Sequence, residues 1–291
     1  MRISVPNCNG FKAKCRGFSH MKMDTACQDA VAYDQDVAVC AVSDGHGSEK
    51  YFRSGVGAAL AVEVAIEAVK AFMAKQNTYR NENDDHKYAG QILSNANYAK
   101  ILHNLAGYIV TRWVEQLEEH WQTNPCNDLE KALCDKHFTN VKLEESFTKI
   151  YGATLIIGVI TERFGFAIQI GDGAACIIKQ NGHKLVPPEL IDENQFGGRT
   201  NSLSSTNCLP LFRFYYTKTI PKAIVVASDG VVDSYGGNDG KDFQKFCAKL
   251  VELYADNYEQ AQGFLEDWLP QLSEQGSQDD VAVAGIFTAK A

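Results

Sequence analysis

Ala223-Ile-Val-Val-Ala-Ser-Asp-Gly-Val-Val-Asp233 is a strand-sized apolar run that ends in an acidic turn. Five small or branched apolar residues followed at once by Asp-Gly read as a buried β-strand stopped by a turn. The figure recurs along the chain. Val42-Ser-Asp-Gly45 closes the strand-like stretch 37–42, and Ile170-Gly-Asp-Gly173 closes the stretch 164–170. A fourth strand, from Val281 to Phe287, begins directly after Asp279-Asp280. One Asp-Gly is the commonest of turn dipeptides and by itself says nothing more. Carboxylates at four strand ends call for a further reason.

Outward from these ends, Ala30–Tyr33 and 37–42 flank the turn Asp34-Gln35-Asp36 and read as a β-hairpin, which brings Asp29 near Asp44. Ala153–Thr161 and Phe164–Ile170 read as a second hairpin, with 174–178 and 184–186 as its extension. Helical spacing of Val56, Leu60, Val64 and Val69 predicts a helix over about 51–75, ended by the Asn- and Asp-rich break 76–87. Further helices are expected over 88–121 with a break near Gly107, then over 129–138, 242–256 and 258–271. The span 187–219 reads as an irregular loop of a length that is usually functional. Hairpins around helices, without strand–helix–strand alternation, argue for an α+β chain of antiparallel sheets and helices. No linker or repeat divides it, so residues 1–291 are expected to form one domain, with a helical region at about 76–150.

Composition excludes several classes. The 291 residues hold 28 Lys and Arg against 36 Asp and Glu, a formal net charge of −8. That is not the basic footprint that neutralises nucleic-acid phosphates. The apolar runs are strand-sized, so no membrane segment is expected, and residues 1–17 lack the apolar stretch of a signal peptide. The nine cysteines include no Cys-x-x-Cys pair, which argues against a zinc cluster and for reduced thiols in the cytoplasm. Oligomeric state has no signature in the sequence.

Clustered carboxylates repel and raise one another's pKa unless a cation neutralises them. An all-oxygen ligand set suits a hard ion, so Mg²⁺ or Mn²⁺ is expected there. His46, two residues beyond Asp44 and between two glycines, is placed to protonate a leaving alkoxide as general acid.

The ordered set Cys-Gln-Asp-Ala (27–30), Ser-Asp-Gly-His-Gly (43–47), Tyr-Gly-Ala-Thr-Leu (151–155), Ile-Gly-Asp-Gly (170–173), Ala-Ser-Asp-Gly-Val-Val-Asp (227–233) and Asp-Asp-Val-Ala-Val (279–283) resembles the metal-dependent type 2C protein phosphatases. Gly17-Phe-Ser-His20 is similar to a bacterial branch of that family. The resemblance implies a four-layer α-β-β-α sandwich of two antiparallel sheets flanked by helices. It implies two metal ions bridged by Asp44, with the Gly45 carbonyl on the second, Asp229 and Asp280 on the first, and Asp29 at the second. Asp172, Asp229 and Asp233 fall where bacterial members bind a third ion. His46 matches the general acid, and the reaction implied is in-line attack on phosphorus by a metal-bridged water. The substrates implied are phosphoserine and phosphothreonine proteins.

Many members of the family carry an Arg a few residues before the first motif to hold the substrate phosphate. Here that neighbourhood offers His20 and Lys22, and Arg199 in the irregular loop is the other candidate. Gln28 stands where some members are acidic. A regulatory, catalytically weak phosphatase-like domain that binds metal or phosphoprotein is the alternative reading. Asp34-Gln35-Asp36-Val37 matches an aspartyl-nucleophile signature on paper, but a strand follows at once where that mechanism needs a helix. There is no Cys-x₅-Arg and no phosphate-binding Gly-x₄-Gly-Lys-Ser/Thr loop.

Overall fold

A computed structural model describes residues 6–81, 92–138, 147–191, 200–236 and 240–289. Ten strands form two five-stranded antiparallel sheets. The first has the order β1 (Cys8–Cys15), β10 (Val281–Thr288), β9 (Ala223–Ala227), β6 (Ala174–Ile178), β7 (Lys184–Leu185). The second has the order β2 (Ala30–Asp34), β3 (Val39–Ser43), β4 (Leu155–Ile160), β5 (Gly165–Ile170), β8 (Arg213–Thr217). Helices α2 (Ser54–Asn81) and α3 (Tyr98–Thr123) cover the second sheet, and α6 (Lys241–Asp256) and α7 (Tyr258–Gln275) cover the first. Among the described residues three shorter α-helices are also present: α1 (Phe18–Lys22), α4 (Asp128–His137) and α5 (Asp229–Ser234).

Alternation along each central strand explains the continuous apolar runs. Ala223, Val225 and Ala227 of β9 pack on α6 and α7, whereas Ile224 and Val226 face the other sheet. In β3, Val39 and Ala41 pack on the α2 side and Cys40 and Val42 point between the sheets. A strand with helices on one face and a sheet on the other has no solvent face, so both residue sets must be apolar. Three stacked cores result, and the middle one, between the sheets, includes Cys40, Val42, Ile156, Ile177, Ile224 and Val226.

The hairpin 30–43 pairs Ala30 with Ser43, which sets Asp29 opposite Asp44 as expected. Four expectations need correction. Strand β6 does not extend the hairpin of β4 and β5; it pairs with β9 in the opposite sheet. The chain crosses between sheets at Gly171-Asp172-Gly173, where Gly171 adopts a φ of 114° and a Cβ would sit 2.5 Å from Thr154 Cβ. Only glycine combines that torsion with so close an approach. Helix α3 runs unbroken through Gly107, which meets open space apart from a Leu209 methyl. The polar stretch after Lys75 does not end α2, which continues to Asn81. The irregular span also holds a strand, β8, paired along β5.

Among the described residues no helix is long and apolar enough to cross a membrane.

Candidate metal centre

The site forms where strand ends from both sheets converge. Asp44 follows β3, Asp172 occupies the crossing from β5 to β6, and Asp229 is the first residue of α5 directly after β9. One carboxylate oxygen from each lies within 4.8 Å of the others. Asp44 is held by Thr154, whose backbone N donates to Asp44 O at 2.8 Å and whose hydroxyl accepts from Asp44 N at 3.0 Å. Gly45 makes an isolated β-bridge to Ala153. The crossing loop is braced by Gln169 Nε2 on Gly173 O at 2.7 Å and by Arg213 Nη2 on Gly171 O at 2.7 Å. Thr200 Oγ1 donates to Asp172 Oδ2.

Burial and mutual repulsion raise Asp44 and Asp229 of the trio, and Asp29 and Asp233 beside it. Asp229 is pushed up to about 8 by burial and by the charges of Asp44, Asp172 and Asp279. Asp44 is driven well above the usual carboxylate range by burial, then by Asp29, Asp172 and Asp279. Asp29 reaches about 8 through burial, relieved in part by a hydrogen bond from Ser228. Asp233 is also raised, by burial and then by Asp172 and Asp279. Asp29 Oδ2 and Asp172 Oδ1 are buried without a hydrogen-bond partner. Crowded, raised and partly unpartnered carboxylates are a donor set that a hard divalent cation would satisfy.

Asp280 occupies a different environment. It is buried at 3% exposure, its Oδ1 accepts from Gly17 N and its Oδ2 from Gln28 N, both at 2.6 Å. His20 Nδ1 lies 2.9 Å from Oδ1. The carboxylate whose charge acts on Asp44, Asp229 and Asp233 is its neighbour Asp279, half-exposed at 53%. Sequence reading passed over Asp279. The signal was the acidic pair itself: Asp279 acts on Asp44 and Asp229, while Asp280, tied to two backbone N–H groups, acts on Asp29. Thr154, Ser228 and Arg213 were also missed, because their roles rest on contacts distant in sequence, as was Gln169, which braces a turn only two to four residues ahead but belongs to no motif.

His46 is placed beside the trio. Its backbone N donates to Gly152 O at 3.0 Å, and its ring packs 4.6 Å from that of Tyr51. Burial pulls its pKa below the ordinary value, against an upward pull from Asp172. Of the candidates for the substrate phosphate, His20 is buried against Asp279 and Asp280. Lys22 Nζ lies 4.1 Å over the Phe18 ring on α1. Arg199 lies outside the described residues.

Comparison with known proteins accords with this geometry. The family model described as "Protein phosphatase 2C" matches residues 16–270. No curated protein sequence matches the chain. Solved structures that resemble it include PppA, a regulatory component of the type VI secretion system in Pseudomonas aeruginosa. It shares 12% identity at a TM-score of 0.55, with 98% of each chain covered. A bacterial serine phosphatase shares 14% identity at a TM-score of 0.52, over 98% of this chain and 99% of that one. The serine/threonine phosphatase PstP/Ppp of Mycobacterium tuberculosis shares 13% at 0.50, over 97% and 99%. At such identities the likeness carries the fold.

Proposed function

Because the chain belongs to the protein phosphatase 2C family, we propose that it is a metal-dependent phosphatase acting on phosphoserine and phosphothreonine in proteins. The observation that carries this reading is the trio Asp44, Asp172 and Asp229, drawn to within 4.8 Å from ends of both sheets.

In this reading Asp44, the Gly45 carbonyl, Asp229, Asp279 and Asp29 would hold two Mg²⁺ or Mn²⁺ ions, and Asp172, Asp229 and Asp233 would hold a third. Asp279 takes the part that sequence alone gave to Asp280, because it is Asp279 whose charge reaches Asp44 and Asp229. Bound metal of this kind acidifies water to a nucleophile at neutral pH and offsets charge on phosphoryl oxygens.

The chain's own residues supply the rest. His46 gives a proton to the leaving alkoxide of serine or threonine, a group too basic to depart unprotonated. Its lowered pKa makes it a stronger acid, and the Gly152 carbonyl and Tyr51 ring fix its direction. Thr154 holds Asp44 by backbone and hydroxyl together, so the acid and the central carboxylate are steadied from adjacent residues of one segment. The nine free thiols support action in a reducing, cytoplasmic setting.

The test is hydrolysis of a chromogenic aryl phosphate, and then of a phosphothreonine peptide, with Mn²⁺, with chelator, and in the Asp44→Asn variant. Metal-dependent turnover that disappears in the variant supports the proposal. Absence of turnover from folded, metal-supplied protein would overturn it in favour of a regulatory metal- or phosphoprotein-binding domain.

A further inference from the structure

The segment Gly17-Phe-Ser-His20 is laced to the stretch that precedes β10. Gly17 N donates to Asp280 Oδ1 at 2.6 Å, and Phe18 N donates to Ser273 Oγ at 3.0 Å. Ser19 gives both its backbone N, at 2.9 Å, and its hydroxyl, at 2.7 Å, to Gln278 O. The Ser273 hydroxyl passes its own proton to Asp279 O at 2.8 Å. Gly17 has no room for a side chain, since a Cβ would stand 2.5 Å from Asp280 N.

His20 closes this clasp. Its side chain is 10% exposed, and its Nδ1 and Nε2 face the two consecutive carboxylates, 2.9 Å from Asp280 Oδ1 and 3.6 Å from Asp279 Oδ1. Its backbone carbonyl is pinned in turn by Arg16 Nη2 at 3.0 Å and Thr25 N at 2.9 Å. The ring also borders the His46 loop: a Cβ on Gly47 would be 3.8 Å from Nε2. The Nδ1 contact is one of distance and charge rather than an aligned hydrogen bond, and a ring set between two carboxylates is poorly placed to receive a substrate phosphate. It has the position of a brace.

We infer that His20 is a positioning residue for the cation site: it fixes Asp280 as a buried anchor and thereby presents Asp279 to Asp44 and Asp229. The two carboxylates hang from consecutive residues and one imidazole meets both, so holding the ring limits where each of them points. Partners that orient a metal-binding carboxylate are worth about 10–100-fold in metal affinity. The inference rests on the metal-dependent reading above.

The experiment is calorimetric titration of Mn²⁺ into chelator-stripped protein, with folding checked by circular dichroism. His20→Ala is expected to weaken binding about tenfold or more, and to raise by a similar factor the Mn²⁺ concentration that half-saturates turnover. His20→Asn, whose amide nitrogen stands near the place of Nδ1, recovers most of the loss, and His20→Gln recovers less. A folded His20→Ala protein that binds Mn²⁺ as the parent does overturns the inference. Should that variant not fold, equal binding by the Asn and Gln variants overturns it. Parent protein that takes up no Mn²⁺ removes the metal-dependent reading and this inference together, an outcome distinct from parental binding retained in His20→Ala.

Discussion

Arg53 and Glu130 meet through two parallel hydrogen bonds, Nε to Oε1 at 2.8 Å and Nη2 to Oε2 at 2.9 Å. The guanidinium is buried at 7% exposure and also donates to Tyr151 Oη at 3.0 Å, while Glu130 completes a capping box with Asn127 at the start of α4. One carboxylate thus serves both a helix end and a buried cation. Tyr151 continues into Gly152, whose carbonyl accepts from His46 N, so the pair underpins the same segment that positions His46.

Removing one partner from such a pair strands the other. Glu130→Gln is expected to cost about 3 kcal/mol in urea denaturation at pH 7. Arg53 holds the Glu130 carboxyl below the usual carboxylate range. A depressed pKa adds stability above the unfolded-state value near 4, and that stability is lost as pH falls through the folded value. The variant should therefore show a shallower loss of stability on acidification than the parent. Parallel acid limbs would show that the pair carries no such contribution.

The carboxylate cluster has the opposite sign. Asp229, raised to about 8, binds more protons folded than unfolded between about pH 4 and pH 8. Metal-free protein should accordingly lose stability from this source as pH climbs across that range. Asp229→Asn should melt higher than the parent at pH 8 in chelator and gain less from added Mn²⁺. Melting curves by differential scanning fluorimetry, with and without Mn²⁺, decide it; a variant that melts lower in chelator at pH 8 refutes the repulsion argument.

If His46 protonates the leaving group as proposed, the effect of its loss depends on that group. His46→Ala is expected to slow alkyl phosphate esters by about 10²-fold or more and aryl esters far less, since a phenolate departs without a proton. Steady-state kinetics on a phosphothreonine peptide and an aryl phosphate give the comparison. Equal losses on both would take His46 out of that role.

Gly57 lies under the Tyr151 backbone, where a Cβ would meet the Tyr151 carbonyl carbon at 2.8 Å, and its own carbonyl accepts from Trp113 Nε1 at 2.9 Å. Neither neighbour is a flexible tip. Gly57→Ala should lift α2 from this contact at a cost of about 1–3 kcal/mol, read from the urea midpoint. An unchanged midpoint would mean that the helix has slack the packing does not suggest.

The strands most easily read from sequence were those with two buried faces. Ala223–Ala227 and Leu155–Ile160 read as strands in a core, and the first announced its end with the turn Asp229-Gly230. Strand β1 gave no such signal: Cys-Asn-Gly-Phe-Lys-Ala-Lys-Cys turns Phe11 and Ala13 inward but its lysines outward, and holds only one aromatic and no β-branched residue. Its identity comes from pairing along β10. Partner choice is equally hidden, because whether β6 folds back on β5 or crosses to β9 depends on contacts some fifty residues away in the chain. The same division runs through the site. The acidic turns were legible one by one, whereas the separate fates of Asp279 and Asp280 are decided by Gly17, His20 and Gln28 at the other end of the chain.

The crossing at Gly171–Gly173 carries one more consequence. Asp44 hangs from one sheet, Asp229 from the other, and Asp172 from the strap between them. The gap among their oxygens is therefore gauged by the apolar layer between the sheets, where Cys40, Val42, Ile156, Ile224 and Val226 interlock. That layer acts as the shim of a caliper. A substitution there, far from any charge, is expected to reset the jaws, so that the spacing of the three carboxylates is set by hydrocarbon as much as by the acidic turns themselves.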